Sequence, residues 1–525
     1  MNPTNIASLK KNHVNRRDFV KTAAIAGAGL AFVPALARAS GQTKATATAT
    51  ATDTPPSGIP QSVCQTTRGL ADRTSRSPNI LMIVADDLRA WLHCLGCEQV
   101  RTPNLDRLAA MGMVFTRSYC PAPLCNPSRT ALFTGKRPGT TGIYNNTGDW
   151  RTNEVTRDLP SLIETLRAHG YLTFGAGKIY HEIFTKLSEW DDYGGTGLNG
   201  QKPLPSPAPD GDGVSDILFR PLIGEDNDMV DSNAVDYCIA KLRTMPAALE
   251  KPFLLGCGFH KPHLPMEVPQ KYFDMYPLNQ IELPKVQPSL DGIPPLGVRT
   301  ALTGGEHEAI LKSGRWKEAV RAYLACVTFV DAQIGRLLDA LEKSACKDNT
   351  IILFWTDHGW HHGEKQHWKK STLWEEAART PLIWVVPGVT APGSTCARTV
   401  DHMGIYPTLC ELAGIPAPPH VEGASYASLL KNPQAAWSRP AVTTNKQNNH
   451  AVRSEKWCYI RYSDGTEELY DHDADPLEWK NLAGDPRHAP VKEDLKQWLP
   501  KINRPISVTS ARSKPDKGKH AGDDE

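Results

Sequence analysis

NILMIVADD, residues 79–87, joins a short apolar run to two adjacent carboxylates. The run 79–84 lacks the polar alternation of a half-solvated strand, which is typical of a parallel strand buried on both faces. Open α/β sheets bind their ligands outside the carboxyl ends of the strands, so Asp86 and Asp87 stand where a site is expected. Alternatively, the pair only caps a helix that begins at Leu88.

The same plan, an apolar run that ends in polar side chains, recurs three times. From residue 77 onward such runs alternate with helical patterns for roughly four hundred residues, which predicts one large α/β domain and a smaller appended one. The three further predicted strands and the residues that follow them are 171–174 before Lys178 and His181, 253–259 before His260 and His263, and 350–355 before Asp357 and His358.

These strand ends allow a metal site but do not require one. Asp86, Asp87 and Asp357 are hard oxygen ligands suited to Ca²⁺ or Mg²⁺, whereas His358 is an unusual ligand for Ca²⁺. A lone lysine or histidine after a strand is ordinarily a solvated loop residue, and a purely structural role is the preferred interpretation for His260.

The two ends of the chain have compositions unlike the rest. Arg16-Arg17 precedes a weakly apolar run, 22–36, and then Ala37-Arg38-Ala39, a pattern typical of a twin-arginine signal peptide over residues 1–39. A buried amphipathic helix is the alternative. Residues 40–76 are rich in Thr, Ala, Ser and Pro and are predicted to be a flexible linker, and the polar segment 505–525 a disordered tail.

Charge and cysteine content exclude several classes of protein. The formal net charge of +2 indicates neither a nucleic-acid-binding surface nor a strongly acidic one. The weakly apolar run of the signal is too short to be a membrane anchor. Cys94 and Cys97 form a C-x-x-C pair, but no second pair stands at a zinc-site spacing, so redox or zinc chemistry is disfavoured.

CNPSRTALFTG, residues 125–135, carries the strongest functional signal. Asn126 is a good helix N-cap and Pro127 suits a first helical turn, so Cys125 is predicted at a helix N-terminus that favours an anion. A single cysteine is more often a buried thiol or half of a disulfide, and Cys120 lies near enough for that. However, the whole stretch resembles the type I sulfatase signature C-x-P-S-R-x-x-L-x-T-G, within the alkaline phosphatase superfamily.

The resemblance implies a modification and a metal centre. In that family the cysteine is oxidised by a maturation enzyme to formylglycine (3-oxoalanine), whose hydrated aldehyde is the nucleophile. By the same match, a divalent cation, usually Ca²⁺ with Mg²⁺ as the alternative, is bound by Asp86, Asp87, Asp357, His358 and residue 125.

Further roles are implied residue by residue. Arg129 orients the nucleophile, Lys178 and Lys370 bind sulfate oxygens, and His181 acts as base toward the formylglycine hydroxyl. Lys370 or His263 protonates the leaving alcohol. Lys369 is an alternative to Lys370, and the residues implied to contact substrate are Lys178, His263, Trp360 and Lys370.

Three motifs resemble the iduronate-2-sulfatase branch of the family: GKIYH at 177–181, HKPHLP at 260–265 and DHGW at 357–360. The branch resemblance implies an enzyme that acts on a sulfated saccharide, with a uronate or hexose 2-O-sulfate as first choice. The twin-arginine pattern predicts that it is exported by the twin-arginine translocase and is periplasmic or extracellular. Lys365 and Glu182 depart from the branch pattern and are predicted to border the substrate, with Lys365 and Lys369 available to a substrate carboxylate.

The predicted fold is α/β, with a large, mixed, mostly parallel sheet sandwiched by helices and a smaller C-terminal α+β subdomain. The predicted bounds are 77–440 for the catalytic domain and 441–504 for the subdomain. The loops 198–216 and 278–303 are predicted to select the substrate. Two alternative functions remain: a phosphonate or phosphate ester hydrolase of the same superfamily, and an exported glycan-binding protein without catalysis.

Overall fold

The central element is a mixed eight-stranded sheet. The computed structural model describes residues 77–196, 204–207, 211–245 and 250–507. The sheet order is β14-β2-β13-β10-β1-β8-β4-β5. Its strands are β1 Asn79–Asp86, β2 Met113–Phe115, β4 Leu172–Gly177, β5 Asp192–Tyr193, β8 Phe253–Pro262, β10 Thr350–Thr356, β13 Leu382–Val385 and β14 Ser394–Cys396.

Most neighbouring strands of this sheet are parallel. β1 pairs in parallel with both β10 and β8, and β8 with β4, whereas β13 is antiparallel to β10 and β2. The four predicted strands are confirmed, but each runs one to three residues further than its apolar run. The polar residues at the strand ends still pair with a neighbour, as Asp86 does with Pro262.

Helices cover both faces of the sheet. Alternate residues of β1 accordingly pack into two different cores, one on each face. Leu81 and Ile83 belong to a core shared with α1, α5 and α9, and Met82 and Val84 to one shared with α2, α4, α11 and α12. The α-helices of the described residues are α1 Pro103–Met111, α2 Cys125–Thr134, α3 Pro138–Thr141, α4 Leu162–Ala168, α5 Val230–Thr244, α6 Gln270–Asp274, α7 Pro295–Ala301, α8 Glu306–Ser313, α9 Trp316–Glu342, α10 Glu375–Ala378, α11 Ile405–Leu412, α12 Ala427–Lys431 and α13 Ala489–Lys496.

A second, antiparallel sheet lies near the C-terminus, with strands in the order β16-β17-β18-β19. One face packs on Leu373 and Trp374 and the other on α13. The remaining strands are β3 Ser118–Tyr119, β6 Gly213–Val214, β7 Ile217–Leu222, β9 Met266–Pro269, β11 His361–His362, β12 Trp368–Lys369, β15 Val400–Asp401, β16 Ala441–Thr444, β17 His450–Arg453, β18 Trp457–Arg461 and β19 Glu467–Asp471.

Short 3₁₀ helices occupy several connections of the described chain. They are His93–Leu95, Glu182–Phe184, Leu187–Glu189, Asp226–Asp228, Leu278–Gln280, Lys347–Asn349, Glu364–Gln366, His402–Gly404 and Pro486–His488. No described helix is both long enough and apolar enough to cross a membrane.

Some of the sequence predictions concern residues that the structure does not describe. The signal peptide 1–39, the linker 40–76 and residues 508–525 of the tail lie outside the described residues, as does part of the loop 198–216. Ser507, inside the predicted tail, donates its backbone N–H to Gly142 at 2.8 Å. Ordered contacts therefore reach at least this residue, and the boundary at 440/441 stays a prediction.

Candidate active site

The carboxyl end of β1 provides two fully buried carboxylates. Asp87 has a φ of 60°, in the left-handed region that aspartate tolerates better than most residues, and this turn ends the strand. Tyr323 of α9 holds the turn by donating its hydroxyl to the Asp87 carbonyl at 2.8 Å and accepting the N–H of Arg89 at 3.0 Å. Asp86 and Asp87 therefore belong to the site and do not cap a helix at Leu88, since β1 is followed by no α-helix before α1.

The neighbouring strand, β10, is followed directly by Asp357 and His358, both fully buried. Asp357 Oδ1 accepts the backbone N–H of Asp87 at 3.1 Å, so the two strand ends are tied directly. His358 Nδ1 lies 3.0 Å from the carbonyl oxygen of Gly359, and because a carbonyl only accepts, Nδ1 carries the proton. The lone pair of Nε2 is thus turned toward Asp87 Oδ1 at 3.2 Å and Cys125 Sγ at 3.3 Å.

Cys125 is the first residue of α2, and only 1% of it is exposed. The sequence predicted Asn126 as the N-cap of this helix, but Leu124 occupies that position, in extended conformation. The amide of Asn126 instead donates to the carbonyls of Asn145 and Gly148. Burial and nearby Asp86 raise the pKa of the Cys125 thiol well above its usual value, so the unmodified side chain is protonated and a weak nucleophile.

Arg129, one turn after Cys125, ties together the strand ends. Its Nε donates to Asp357 Oδ2 at 2.9 Å and its Nη2 to Asp86 Oδ1 at 3.2 Å. Its Nη1 donates to the carbonyls of Lys178 and Ile179 at 2.6 and 2.8 Å. All three nitrogens are engaged by the protein, so Arg129 positions the carboxylates beside residue 125, and its role in orienting the nucleophile stays a prediction.

Lys178 enters the site because two strands approach closely. Gly177 has a φ of 77°, and a Cβ there would lie 1.9 Å from the carbonyl oxygen of Gly258, so glycine is required. Lys178 Nζ lies 2.5 Å from Asp86 Oδ2. That oxygen accepts no well-aligned hydrogen bond from the described residues, so the contact is an ion pair only.

Lys370 approaches from the opposite side. Its Nζ donates to Asp87 Oδ1 at 2.8 Å and lies 3.3 Å from Cys125 Sγ. Burial lowers the pKa of Lys370, but the nearby carboxylates of Asp87 and Asp86 outweigh it and raise the pKa, so the ammonium stays charged. Trp360, predicted to contact substrate, is buried beneath it, with its ring centre 5.7 Å from Lys370 Nζ.

Two histidines stand at the edge of this group. His263 Nδ1 lies 2.7 Å from the Leu264 carbonyl oxygen, and its Nε2 lies 3.8 Å from Asp87 Oδ2. His181 Nδ1 is buried and has no hydrogen-bond partner among the described residues. Burial and nearby Lys178 lower the pKa of His181 to about 3, which leaves its ring neutral at pH 7.

The sequence predicted that Lys365 and Lys369 are available to a substrate carboxylate, but both ammonium groups are paired within the protein. Lys365 is buried; its ammonium donates to the Glu478 carbonyl and lies over the rings of Trp374 and Tyr470. Lys369 Nζ pairs with Glu306 at 2.8 Å and lies 3.7 Å from Asp216. The Lys365 prediction fails because the lysine turns toward the C-terminal sheet, a contact that sequence spacing does not reveal.

His260, for which a structural role is predicted, lies between two carboxylates. Its ring nitrogens lie 3.1 Å from Asp231 Oδ1 and 3.0 Å from Glu182 Oε1. Nothing in the sequence pointed to Asp231 or to Tyr323, because both lie on helices remote from any motif. Ser128, whose hydroxyl donates to the Asp357 carbonyl at 2.6 Å, stands inside the signature and was available to sequence reasoning.

The donor atoms form two overlapping sets. The ligand atoms of Asp86, Cys125, Asp357 and His358 lie within 4.8 Å of one another, as do those of Asp86, Asp87, Cys125 and His263. Burial raises the pKa of Asp87 to about 6 despite Lys370, because Asp86 and Asp357 add negative charge nearby. Arg129, Lys178 and Lys370 balance the charges of the three carboxylates. The clustered carboxylate oxygens and the Nε2 lone pair of His358 are ligand atoms of the kinds that divalent cations bind, so the residues fit a divalent metal.

Comparison with known proteins identifies the family of this chain. Residues 78–415 match the sulfatase family model, and residues 363–504 match the model of the N-sulphoglucosamine sulphohydrolase C-terminal region. A sulfatase of Formosa agariphila is 39% identical over 446 residues, covering 81% of this chain and 87% of the relative. The iduronate 2-sulfatase of Homo sapiens is 29% identical over 401 residues, covering 68% and 72%.

Solved structures share the fold. A protein in complex with its substrate D-glucosamine-2-N,6-O-disulfate superimposes with a TM-score of 0.65 at 23% identity, covering 81% of this chain and 97% of the other. The phosphonate monoester hydrolase of Agrobacterium radiobacter gives 0.69 at 21% identity, covering 80% and 94%. The fold class predicted from sequence is confirmed. The chain belongs to the sulfatase family, with the alkaline phosphatase-like fold, and it is a sulfuric ester hydrolase.

Proposed function

We propose that this enzyme removes sulfate from a sulfated saccharide, with residue 125 converted to formylglycine and a divalent metal, Ca²⁺ or Mg²⁺, held by Asp86, Asp87, Asp357 and His358. The observation that carries the proposal is that Cys125 Sγ lies 3.3 Å from both His358 Nε2 and Lys370 Nζ, inside a cluster of buried carboxylates. Burial raises the pKa of the Cys125 thiol well above its usual value, which argues against the unmodified thiol as the nucleophile.

Formylglycine and a metal would supply the chemistry that the encoded side chains lack. Formylglycine, as its hydrate, would offer a hydroxyl nucleophile and a second hydroxyl through which the sulfate can later be expelled. The metal would supply positive charge that polarises the sulfate ester and favours the ionised nucleophile. Arg129 keeps Asp86 and Asp357 in place for that metal, since it donates to both carboxylates.

The two lysines bind the anion. Lys178 and Lys370 contact different carboxylates, Asp86 and Asp87, so their ammonium groups flank residue 125. Burial keeps both cations from full hydration, which strengthens their attraction for the negative charge that grows on sulfate oxygens in the transition state. Helix α2 adds its N-terminus, because Cys125 is its first residue.

Proton transfer falls to the remaining groups. Lys370 or His263 donates a proton to the leaving alcohol, and Lys370 is held charged by its carboxylate neighbour. His181 accepts the proton of the second hydroxyl, since its ring is neutral and its Nδ1 has no partner within the described residues. Trp360 lies under the Lys370 ammonium and keeps it oriented.

A saccharide is the proposed substrate because several relatives are named for one. Besides the human iduronate 2-sulfatase, the relatives include a Δ4,5-hexuronate-2-O-sulfatase of Bacteroides thetaiotaomicron, 26% identical over 453 residues. A choline-sulfatase of Rhizobium meliloti is 29% identical over 442 residues, so identity alone does not choose the substrate.

The test combines mass spectrometry with sulfate release. The peptide that contains residue 125 is expected to carry the mass of formylglycine in active protein, and Cys125→Ala to abolish turnover without unfolding. Sulfate release is then measured on a panel of sulfated saccharides, choline sulfate, aryl sulfates and phosphonate diesters. A fully active preparation with only unmodified cysteine refutes the nucleophile, and faster hydrolysis of choline sulfate than of every saccharide refutes the substrate.

Export by the twin-arginine translocase is part of the same proposal. The chain is proposed to meet the formylglycine-generating enzyme before it leaves the cytoplasm folded, and to lose residues 1–39 on export. Replacement of both Arg16 and Arg17 by lysine is expected to retain the enzyme in the cytoplasm, as measured by fractionation and immunoblotting. Undiminished export of the double variant contradicts this proposal.

A further inference from the structure

Glu182 brings a carboxylate to the edge of the proposed sulfate site. Lys178 Nζ lies 2.5 Å from Asp86 Oδ2 and 4.0 Å from Glu182 Oε1, so a single ammonium group separates Glu182 from the buried cluster. The side chain of Glu182 is 26% exposed, whereas that of Asp86 is fully buried. Glu182 therefore stands where the cluster opens toward solvent.

The carboxylate is fixed in this position by a chain of hydrogen bonds. His260 Nε2 lies 3.0 Å from Glu182 Oε1, and His260 Nδ1 lies 3.1 Å from Asp231 Oδ1. Asp231 is fixed in turn by the backbone N–H groups of His260 and Lys261, at 2.8 and 3.0 Å. Carboxylates only accept, so the His260 ring donates at both nitrogens, and Glu182 keeps its negative charge.

One oxygen of Glu182 remains available. Oε1 is shared by His260 and Lys178, while Oε2 has no hydrogen-bond partner among the described residues. A partly exposed carboxylate oxygen beside an anion site is suited to a hydroxyl donor and repels a second anion. The two lysines that were expected to receive a substrate carboxylate, Lys365 and Lys369, are engaged with Glu478 and Glu306.

Building on the proposed function, we infer that Glu182 is a specificity-determining residue: its free oxygen accepts a hydrogen bond from a sugar hydroxyl near the sulfate ester and selects sulfated neutral sugars over sulfated uronates. Hydrogen bonds to a charged group are worth enough to change kcat/KM by about 10- to 100-fold. The inference reverses the preference for uronates that the lysines suggested in sequence.

The experiment compares matched pairs of monosulfated methyl glycosides. Each pair has a hexose and its hexuronate, with sulfate at O2, O3 or O4 in gluco or galacto configuration, and 4-methylumbelliferyl sulfate serves as a reference without sugar hydroxyls. For the best pair, wild-type kcat/KM is expected to be at least about 10-fold higher on the hexose. Glu182→Gln removes the charge but keeps the shape of the side chain. The hexose-to-hexuronate ratio of kcat/KM is expected to fall about 10-fold in this variant, mainly through faster hexuronate turnover.

Two further variants sharpen the test. Glu182→Ala is expected to lower kcat/KM on the hexose by at least about 10-fold and on the aryl sulfate by less than about 3-fold. Glu493→Gln, on α13 with a side chain 71% exposed, removes a surface carboxylate elsewhere and is expected to leave every ratio unchanged.

The outcomes are separable. Three results contradict the inference but leave the sulfatase activity unaffected. The first is a hexose-to-hexuronate ratio of kcat/KM that is unchanged in Glu182→Gln, and the second is an equal loss of kcat/KM on hexose and aryl sulfate in Glu182→Ala. The third is hydrolysis of the aryl sulfate without hydrolysis of any glycoside pair. No hydrolysis of any sulfate ester by protein shown to contain formylglycine contradicts the proposed function instead.

Discussion

At the scale of single residues, His358 is the proposed metal ligand whose chemistry is easiest to test. Its Nδ1 proton is donated to the Gly359 carbonyl, so the lone pair of Nε2 is left as a ligand atom, 3.2 Å from Asp87 Oδ1. Asparagine at this position would offer an amide oxygen to a hard cation instead of nitrogen. If His358 is a ligand, the position requires an electron-pair donor and not an imidazole ring as such.

Substitutions at His358 test this argument. His358→Asn is expected to keep most of the Ca²⁺ affinity, and His358→Leu to lose at least about 10-fold, because the loss of one direct ligand exceeds the effect of losing an outer partner. Isothermal titration calorimetry of metal-free protein measures both. Equal affinities of the leucine variant and the wild type contradict a ligand role for His358.

Arg129 carries the second argument at this scale. Arg129→Met leaves Asp86 and Asp357 without their shared cation, and breaking such a buried pair costs about 3–5 kcal/mol of unfolding free energy. Urea titration in the metal-loaded and metal-free states measures the change. The larger loss is expected without metal, because a bound divalent cation partly replaces the missing guanidinium charge. Equal losses in both states contradict this linkage.

At the scale of elements, helix α9 supports the end of β1 through one hydroxyl. Tyr323→Phe leaves the Asp87 carbonyl and the Arg89 N–H unpaired in a buried site, so a loss of about 2–4 kcal/mol is expected. Metal affinity is expected to fall as well, since the turn at Asp87 relaxes. Tyr272→Phe on α6, which removes a bond to Asp226 away from the site, serves as the control with unchanged metal affinity.

The start of α4 makes a pH-dependent contribution to stability. Ser161 caps the helix by accepting the Glu164 N–H at 3.1 Å and donates its hydroxyl to Glu189 at 2.6 Å. Burial raises the pKa of Glu189 from 4.5 to about 7. Between these values the folded protein holds a proton that the unfolded chain releases, so this contribution to stability declines as pH rises and is fully lost above about pH 7.

Glu189→Gln isolates that effect. The variant is expected to gain stability relative to wild type between pH 5 and pH 8, by at most about 3 kcal/mol, since one pKa unit corresponds to about 1.36 kcal/mol. Urea unfolding at the two pH values gives the difference. A constant difference between variant and wild type across this range shows that Glu189 does not titrate there.

Elements were easier to predict than their contacts. The strands that end in Asp86, Lys178, His263 and Asp357 follow from apolar runs, and their parallel pairing brings the polar ends to one edge of the sheet. The bonds from Arg129 to the ends of three strands, and the contact of Lys365 with Glu478, join residues 43 to 228 positions apart in sequence. Local patterns do not encode such contacts, which is why the sequence revealed neither the bonds of Arg129 nor the burial of Lys365.

At the scale of the whole molecule, the metal is expected to act as a bridge between elements. Asp86 and Asp87 end or follow β1, Asp357 and His358 follow β10, and residue 125 begins α2, so one ion would join the ends of two strands to a helix on one face of the sheet. A ligand that binds only the folded state stabilises it in proportion to the logarithm of its concentration over Kd, by about 2.7 kcal/mol at 100 times Kd.

Removal of the metal is therefore expected to lower the melting temperature and the rate of sulfate release together, and both are expected to return with added Ca²⁺ or Mg²⁺. For a protein of this size a change of about 2.7 kcal/mol corresponds to a shift of several degrees. Differential scanning calorimetry with and without chelator measures it, and Asp357→Asn, which weakens the site by removing one charge, is expected to show a smaller shift than wild type. Full activity after metal removal verified by elemental analysis contradicts the bridge, because Arg129, Lys178 and Lys370 alone would then hold the three buried carboxylates in place.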